Sequence, residues 1–188
     1  MGRASPVEVT LLKSVVLVGM MGSGKTAVGT AMARALQVPF LDSDHEIEKA
    51  ANMSIAEIFE RDGEAFFRDR ETEVLSRLLD RAPAILSTGG GAFLAARNRD
   101  LISAKGAAIW LKADLELLWS RVAHKDTRPL LRTADPKATL AGLCAEREPI
   151  YQLADIHVEA DASYSIETMA DKVIQAVAAF PELVKEDA

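Results

Sequence analysis

Residues 15–26 read VVLVGMMGSGKT. The opening run of aliphatic side chains suits a strand buried on both faces, as strands of a parallel sheet are. It passes without a linker into glycines, then into a lysine and a threonine that open a helical pattern. Segment 19–26 fits G-x-x-x-x-G-K-[ST]. In that pattern glycines let successive backbone N–H groups turn inward around phosphate oxygens, where a Cβ would obstruct them. The helix that follows aims the positive end of its dipole at the same anion. Lys25 then reaches the β- and γ-phosphates, and the Thr26 hydroxyl ligates Mg²⁺. A chance match in a chain of this length is roughly a one-in-a-hundred event. The segment therefore predicts a βα unit with a phosphate-binding loop (P-loop) at the carboxyl end of its strand.

The rest of the chain repeats this alternation. Short apolar runs at 15–18, 40–41, 84–87, 107–111 and 156–158 are the expected strands. Helical stripes lie between them: Val28, Met32, Ala35 and Leu36, then Val74, Leu75, Leu78 and Leu79, then Leu115, Leu118, Trp119 and Val122. Strands separated by helices make an α/β chain, a parallel sheet with helices on both faces. With 188 residues, 49% of them hydrophobic, a single domain over 1–188 with a substantial core is expected, and disorder is excluded. The formal charge of −6 argues against tracking a nucleic-acid backbone. The longest apolar run, 15–21, is broken by Gly19 and cannot span a bilayer. Pro6 spoils the myristoylation pattern of the opening MGRASP. The single cysteine, Cys144, allows no internal disulfide and shares a packing face with Leu140 and Leu143. His45, His124 and His157 have no metal-ligand spacing. These features predict a soluble, cytoplasmic protein with no membrane or nucleic-acid partner, acting as a monomer.

Three further segments carry chemistry. DSDHE at 42–46 places Asp42 and Asp44 at the end of a short apolar run. In an extended segment residues two apart point the same way, so both carboxylates could face one site, one near Mg²⁺ and one near a substrate hydroxyl. Asp44 alone could instead cap the helix that HEIEK begins. Thr88-Gly89-Gly90-Gly91 follows the third strand, and consecutive glycines suggest close backbone approach to a ligand. All three βα junctions lie at the carboxyl ends of strands, where open α/β sheets bind ligands.

Two helical stripes contain charges where apolar residues belong. Glu71 falls between Phe67, Val74 and Leu78, with Arg68 three residues before it. Arg147 falls between Leu140, Cys144 and Tyr151. A charge on an apolar stripe costs several kcal/mol unless paired. Glu71 could complete a structural Arg–Glu pair; for Arg68 and Arg147 a guanidinium fork suits an anion such as a carboxylate. The stretch 123–137, AHKDTRPLLRTADPK, is polar and carries two prolines. It is expected to be a mobile surface segment without an apolar stripe, and Arg128 lies within it.

Taken in order, GMMGSGKT, DSDHEI, FRDRE, TGGG, RPLL and ERxPxY resemble the shikimate kinase family over about 14–173, nearly the whole chain. The resemblance implies a P-loop NTPase fold, a five-stranded parallel sheet flanked by helices, with a mobile lid at about 123–137 and a substrate-binding helical region at about 43–80. It implies phosphorylation of the 3-hydroxyl of shikimate by ATP, on the way to chorismate and the aromatic amino acids. The nucleotide and Mg²⁺ would be held by Gly22, Ser23, Gly24, Lys25, Thr26 and Ala27, with Asp42 supporting the metal through water. Asp44 would bind the shikimate hydroxyls and orient or deprotonate the attacking one. Arg68 and Arg147, held by Glu71, would clamp the substrate carboxylate, with the Gly90 and Gly91 backbone completing that pocket. Arg128 would be the lid arginine at the transferring phosphoryl group, and Arg121 would lie against adenine. The family's loop after the last strand usually carries Asp then Pro; here it reads VEADASYSI, with Glu159 and no proline. A kinase for another hydroxy acid such as gluconate is the alternative acceptor reading. A GTP-dependent switch would need N-K-x-D, and the nearest string, 111–114, lacks the asparagine.

Overall fold

The computed structural model of the chain describes residues 8–125 and 129–186. Strand β1 (Val9–Leu11) leads to β2 (Ser14–Val18), buried along its whole length, and to α1 (Lys25–Leu36). Strand β3 (Phe40–Asp42) runs straight into α2 (Ser43–Ala51), and α3 (Ile55–Leu79) follows. Next come β4 (Ile85–Ser87), α4 (Ala96–Lys105), β5 (Gly106–Lys112) and α5 (Leu115–Val122). The chain closes with α6 (Pro136–Tyr151), β6 (Ile156–Glu159), α7 (Ile166–Ala178) and β7 (Val184–Glu186).

Five strands form a parallel sheet in the order β3-β4-β2-β5-β6. The period of two in a strand divides its side chains between two cores. Val15 and Leu17 of β2, with Ala107, Ile109 and Leu111 of β5, pack on one face under Val28, Met32 and Val173 of α1 and α7. Val16 and Val18, with Ala108 and Trp110, pack on the other under α3, α4, α5 and α6. The continuous apolar runs thus reflect burial on both faces, as expected.

The site is positioned by the order of strands. β2 is central, with β4 on one side and β5 on the other, so the loop leaving β2 opens where the connections diverge. The loops after β3 and β4 lie beside it. Between β3 and β4 the chain inserts α2 and α3, so the helical region expected at about 43–80 is built from these two helices. A capping box fixes the start of α3: the Ser54 hydroxyl accepts the Glu57 N–H at 3.1 Å, and the Glu57 carboxylate accepts the Ser54 N–H at 2.9 Å. At Gly63 (φ 84°, ψ 172°) α3 kinks, in backbone space that essentially only glycine occupies. Phe67, Arg68 and Glu71 follow the kink.

One strand pair was not expected, and two expectations need correction. A small antiparallel pair, β1 with β7, ties the ends of the described chain together beside the sheet. In α1 Val28 and Met32 are buried as expected, with Gly29 and Ala33, and Leu36 packs against them, but Ala35 is exposed and Ala33 takes its place in the stripe. The stretch 123–137 is not wholly polar in its packing. Leu131, in a 3₁₀ turn at Pro129–Leu131, is buried in the core, and α6 already begins at Pro136 with Asp135 as its cap.

Candidate active site

The loop leaving β2 is built on positive φ values at Gly22 (81°) and Gly24 (93°), conformations that a side chain resists. Gly24 is the residue before the first turn of α1, so the helix starts directly beneath the loop. The Lys25 ammonium donates to the carbonyls of Gly19 (2.8 Å) and Met20 (3.1 Å). Gly22, Gly24, Lys25, Thr26 and Ala27 all line a cavity of about 550 Å³. Ser23 does not: its side chain turns under the loop, and its buried hydroxyl has no hydrogen-bond partner among the described residues.

The same cavity is lined by Asp42 and Asp44, by Arg68 and Glu71, by the loop 87–91 and by Arg147. Residues far apart in sequence thus converge at the carboxyl ends of β2, β3 and β4. The two aspartates meet there by a route different from the expected one. The helix α2 starts at Ser43, one residue after the strand, so Asp42 and not Asp44 is the cap. Asp42 Oδ1 accepts the His45 N–H at 3.1 Å. Asp44 lies in the first turn of α2, and the turn rather than the pleat brings its carboxylate to the cavity. Burial, with Asp42, Glu71 and Glu48 nearby, pushes the Asp44 carboxyl up to about 6, against the pull of Lys25.

The three glycines of TGGG prove to be spacers for side chains. A Cβ on Gly89 would lie 2.8 Å from both Asp44 carboxylate oxygens. On Gly90 it would lie 2.9 Å from Arg147 Nη1, and on Gly91 2.6 Å from Arg68 Nη2. None of the three has positive φ, so room and not backbone freedom is what they supply. The loop accordingly presses Asp44, Arg147 and Arg68 into one surface. The N–H groups of Gly90 and Gly91 have no partner among the described residues.

Arg68 Nη1 donates to both Glu71 oxygens, at 2.9 and 3.2 Å. Glu71 is 1% exposed, and burial raises its carboxyl while Arg68 opposes that rise. Glu71 therefore holds Arg68 and makes no hydrogen bond to Arg147 among the described residues; Arg147 lies near the Tyr151 phenol, whose rise its charge opposes. Behind the loop, fully buried Asn98 donates to the Ala92 carbonyl (2.9 Å) and pairs with Thr72 Oγ1 (2.7 Å), one turn after Arg68. Arg121 lies on the other side of the P-loop, where its Nη1 donates to the Gly22 carbonyl at 2.9 Å. Arg128 lies outside the described residues.

Several cavity residues were not placed in the site by the sequence. Ile55, Phe59, Phe67 and Leu130 line it, with Phe59 36% and Leu130 52% exposed. On paper they are apolar residues on helices or in a polar stretch, indistinguishable from core. Asn98 and Thr72 were invisible for a related reason, since a buried polar pair looks like surface until its partner is known. After β6 the missing proline is replaced by a turn on Asp161, whose Oδ1 accepts from the Ser163 N–H (2.8 Å) and hydroxyl (2.6 Å). These hydrogen bonds hold the Asp161 carboxyl below its ordinary range.

A parallel sheet of this order, with a phosphate loop after its central strand and two helices inserted beside it, defines a P-loop kinase of the small-molecule type. The family model described as shikimate kinase matches residues 21–178. A shikimate kinase of Ruegeria pomeroyi is 67% identical over 168 residues, covering 89% of this chain and 86% of its own. One from Cereibacter sphaeroides is 57% identical, covering 96% and 90%. Among solved structures, shikimate kinase from Acinetobacter baumannii in complex with shikimate superposes with a TM-score of 0.82 at 39% identity, over 89% of this chain and 94% of that one. The chain belongs to the shikimate kinase family. A gluconokinase of Sinorhizobium meliloti, covering 90% of this chain and 97% of its own at a TM-score of 0.56 and 19% identity, shares the architecture alone.

Proposed function

We propose that the chain transfers the γ-phosphoryl group of ATP to the 3-hydroxyl of shikimate, giving 3-phosphoshikimate and ADP, with the residues of this one cavity in distinct roles. The observation that carries the reading is the convergence of a P-loop, a carboxylate with a raised pKa and two arginines around the glycine loop. The P-loop N–H groups and Lys25 take the nucleotide phosphates. Arg68, Arg147 and the backbone N–H groups of Gly90 and Gly91 take the shikimate carboxylate. That fixes the ring so that its hydroxyls meet Asp44, which orients the attacking one and accepts its proton as the new O–P bond forms.

Thr26 and Asp42 suit Mg²⁺. A hard cation on a nucleotide uses few protein ligands, because phosphates and waters supply the remainder. Both residues line the cavity, and the cap to His45 engages only Oδ1 of Asp42. When bound, the ion neutralises charge on the phosphates. Arg128 would do the same from the lid in the transition state, and Arg121, already against Gly22, would flank adenine. No helix among the described residues is long and apolar enough to cross a membrane. We place the enzyme in the cytoplasm, as a monomer of one domain with its acceptor region at 43–80 and its lid at about 123–137.

The deciding assay measures ADP release with Mg-ATP against shikimate, quinate, gluconate and nucleoside monophosphates. Shikimate should give the highest kcat/KM, with nucleoside monophosphates, which lack the carboxylate, at least about a hundredfold below it, since a lost charge-assisted contact costs several kcal/mol; quinate and gluconate keep the carboxylate and are separated by how their hydroxyls meet Asp44. Faster turnover of gluconate would overturn the acceptor assignment.

A further inference from the structure

Helix α6 begins at Pro136, at the end of the stretch expected to be the lid, and ends at Tyr151. Tyr151 is fully buried, its ring against those of Trp110 (6.0 Å between centroids) and Phe93 (6.5 Å). Its hydroxyl donates to the Gly90 carbonyl at 2.7 Å. One turn earlier on the same helix, the Arg147 guanidinium stands against the same peptide: a Cβ on Gly90 would lie 2.9 Å from its Nη1 and 4.0 Å from the phenol oxygen. The direction of the bond to Gly90 is fixed by chemistry. A carbonyl can only accept, a guanidinium can only donate, and a phenol can do both.

We propose that Tyr151 is a positioning residue for the acceptor carboxylate, its hydroxyl anchoring the Gly90–Gly91 peptide beside the Arg147 guanidinium so that both present their donors to the cavity together. A trans peptide is planar, so holding the Gly90 carbonyl on one side fixes the Gly91 N–H on the other. That N–H has no partner among the described residues. Burial pushes the phenol above its ordinary value, which keeps it protonated and donating. Two donors from separate elements, one on a helix and one on a loop, are thereby aligned before a ligand arrives, which lowers the ordering cost of binding.

The inference rests on the carboxylate pocket proposed above, and the test separates the two. In Tyr151→Phe the ring keeps its aromatic packing and only the hydroxyl is lost. The KM for shikimate should rise about tenfold or more, the loss typical of a hydrogen bond to a charged group. The KM for ATP and kcat should stay within about twofold, far below that loss. In an Arg147→Ala background the same change should add almost nothing. Shikimamide, the acceptor with its carboxylate replaced by an uncharged amide, should bind wild type weakly and lose nothing further in Tyr151→Phe. Equal rises in both KM values, an additive penalty in the double variant, or an equal loss for the amide would make Tyr151 merely structural. If Arg147→Ala leaves the shikimate KM unchanged, the pocket and the inference fall together. If Arg147→Ala raises it and Tyr151→Phe does not, the inference alone falls.

Discussion

At the scale of single residues, the site is assembled against the interest of stability, and Asp44 shows it best. Its carboxyl titrates near 3.8 when unperturbed and at about 6 in the fold. Between those values the folded chain holds the proton more tightly than the unfolded one. The stability Asp44 leaves to the fold therefore declines as pH rises from about 4 through 6, and the full penalty persists above. Asp44→Asn should raise the unfolding free energy at pH 8, by at most about 3 kcal/mol at 1.36 kcal/mol per unit, and the gain should vanish below pH 4. Urea unfolding at the two pH values measures this. The same variant should lose at least about a hundredfold in kcat, the scale of a positioned base. In the wild type kcat/KM should fall on the acid side with an apparent pKa near 6, because kcat/KM reports the free enzyme. An acid limb near 4 would remove Asp44 from that role.

At the scale of elements, the parts readable in the sequence were those whose periodicity and punctuation agree. β2 into α1 carries an unbroken apolar run, glycines and a helix pattern, so the place of the loop was legible, though not that Ser23 turns away from the cavity. Glu71 and Arg147 were legible because each interrupts an apolar stripe. The start of α2 was not, because a cap residue is itself extended: Asp42 has φ −103° and ψ 121°, values a strand would share. Leu131 was hidden in a stretch of mostly polar composition, and β1 and β7 are three residues each, with partners at opposite ends of the described chain. The glycine loop was found, but for a reason that the structure replaces. Gly91 has φ −93°, which alanine adopts freely, and the atoms its Cβ would meet are the flexible end of Arg68. Gly91→Ala should therefore change stability by less than about 1 kcal/mol. It should raise the KM for shikimate about tenfold by displacing the guanidinium, with the KM for ATP unchanged. Thermal melts read alongside steady-state kinetics check both halves; a large melting shift with an unaltered KM would mean that the loop, and not Arg68, had moved.

At the scale of the whole molecule, the sheet divides labour between its faces. The core under α1 and α7 includes Leu183, which is 3% exposed; the core under α3 to α6 includes Leu75, which is 1% exposed. Truncating either to Ala should cost about 2–5 kcal/mol. Only Leu75→Ala should also raise the KM for shikimate several-fold, because it loosens the helix that carries Arg68 and Glu71. Matching kinetic losses in both variants would show that the faces do not act separately. The spacing of the glycine loop has a further consequence, for heredity rather than mechanics. A mutant library at 89–91 sorted by the abundance of folded protein should return alanine about as readily as glycine. The same library, asked to restore growth to cells that cannot make their own aromatic amino acids, should keep glycine. The three codons would look free to drift in one selection and immovable in the other, and the gap between the two screens would measure how tightly the acceptor is gripped.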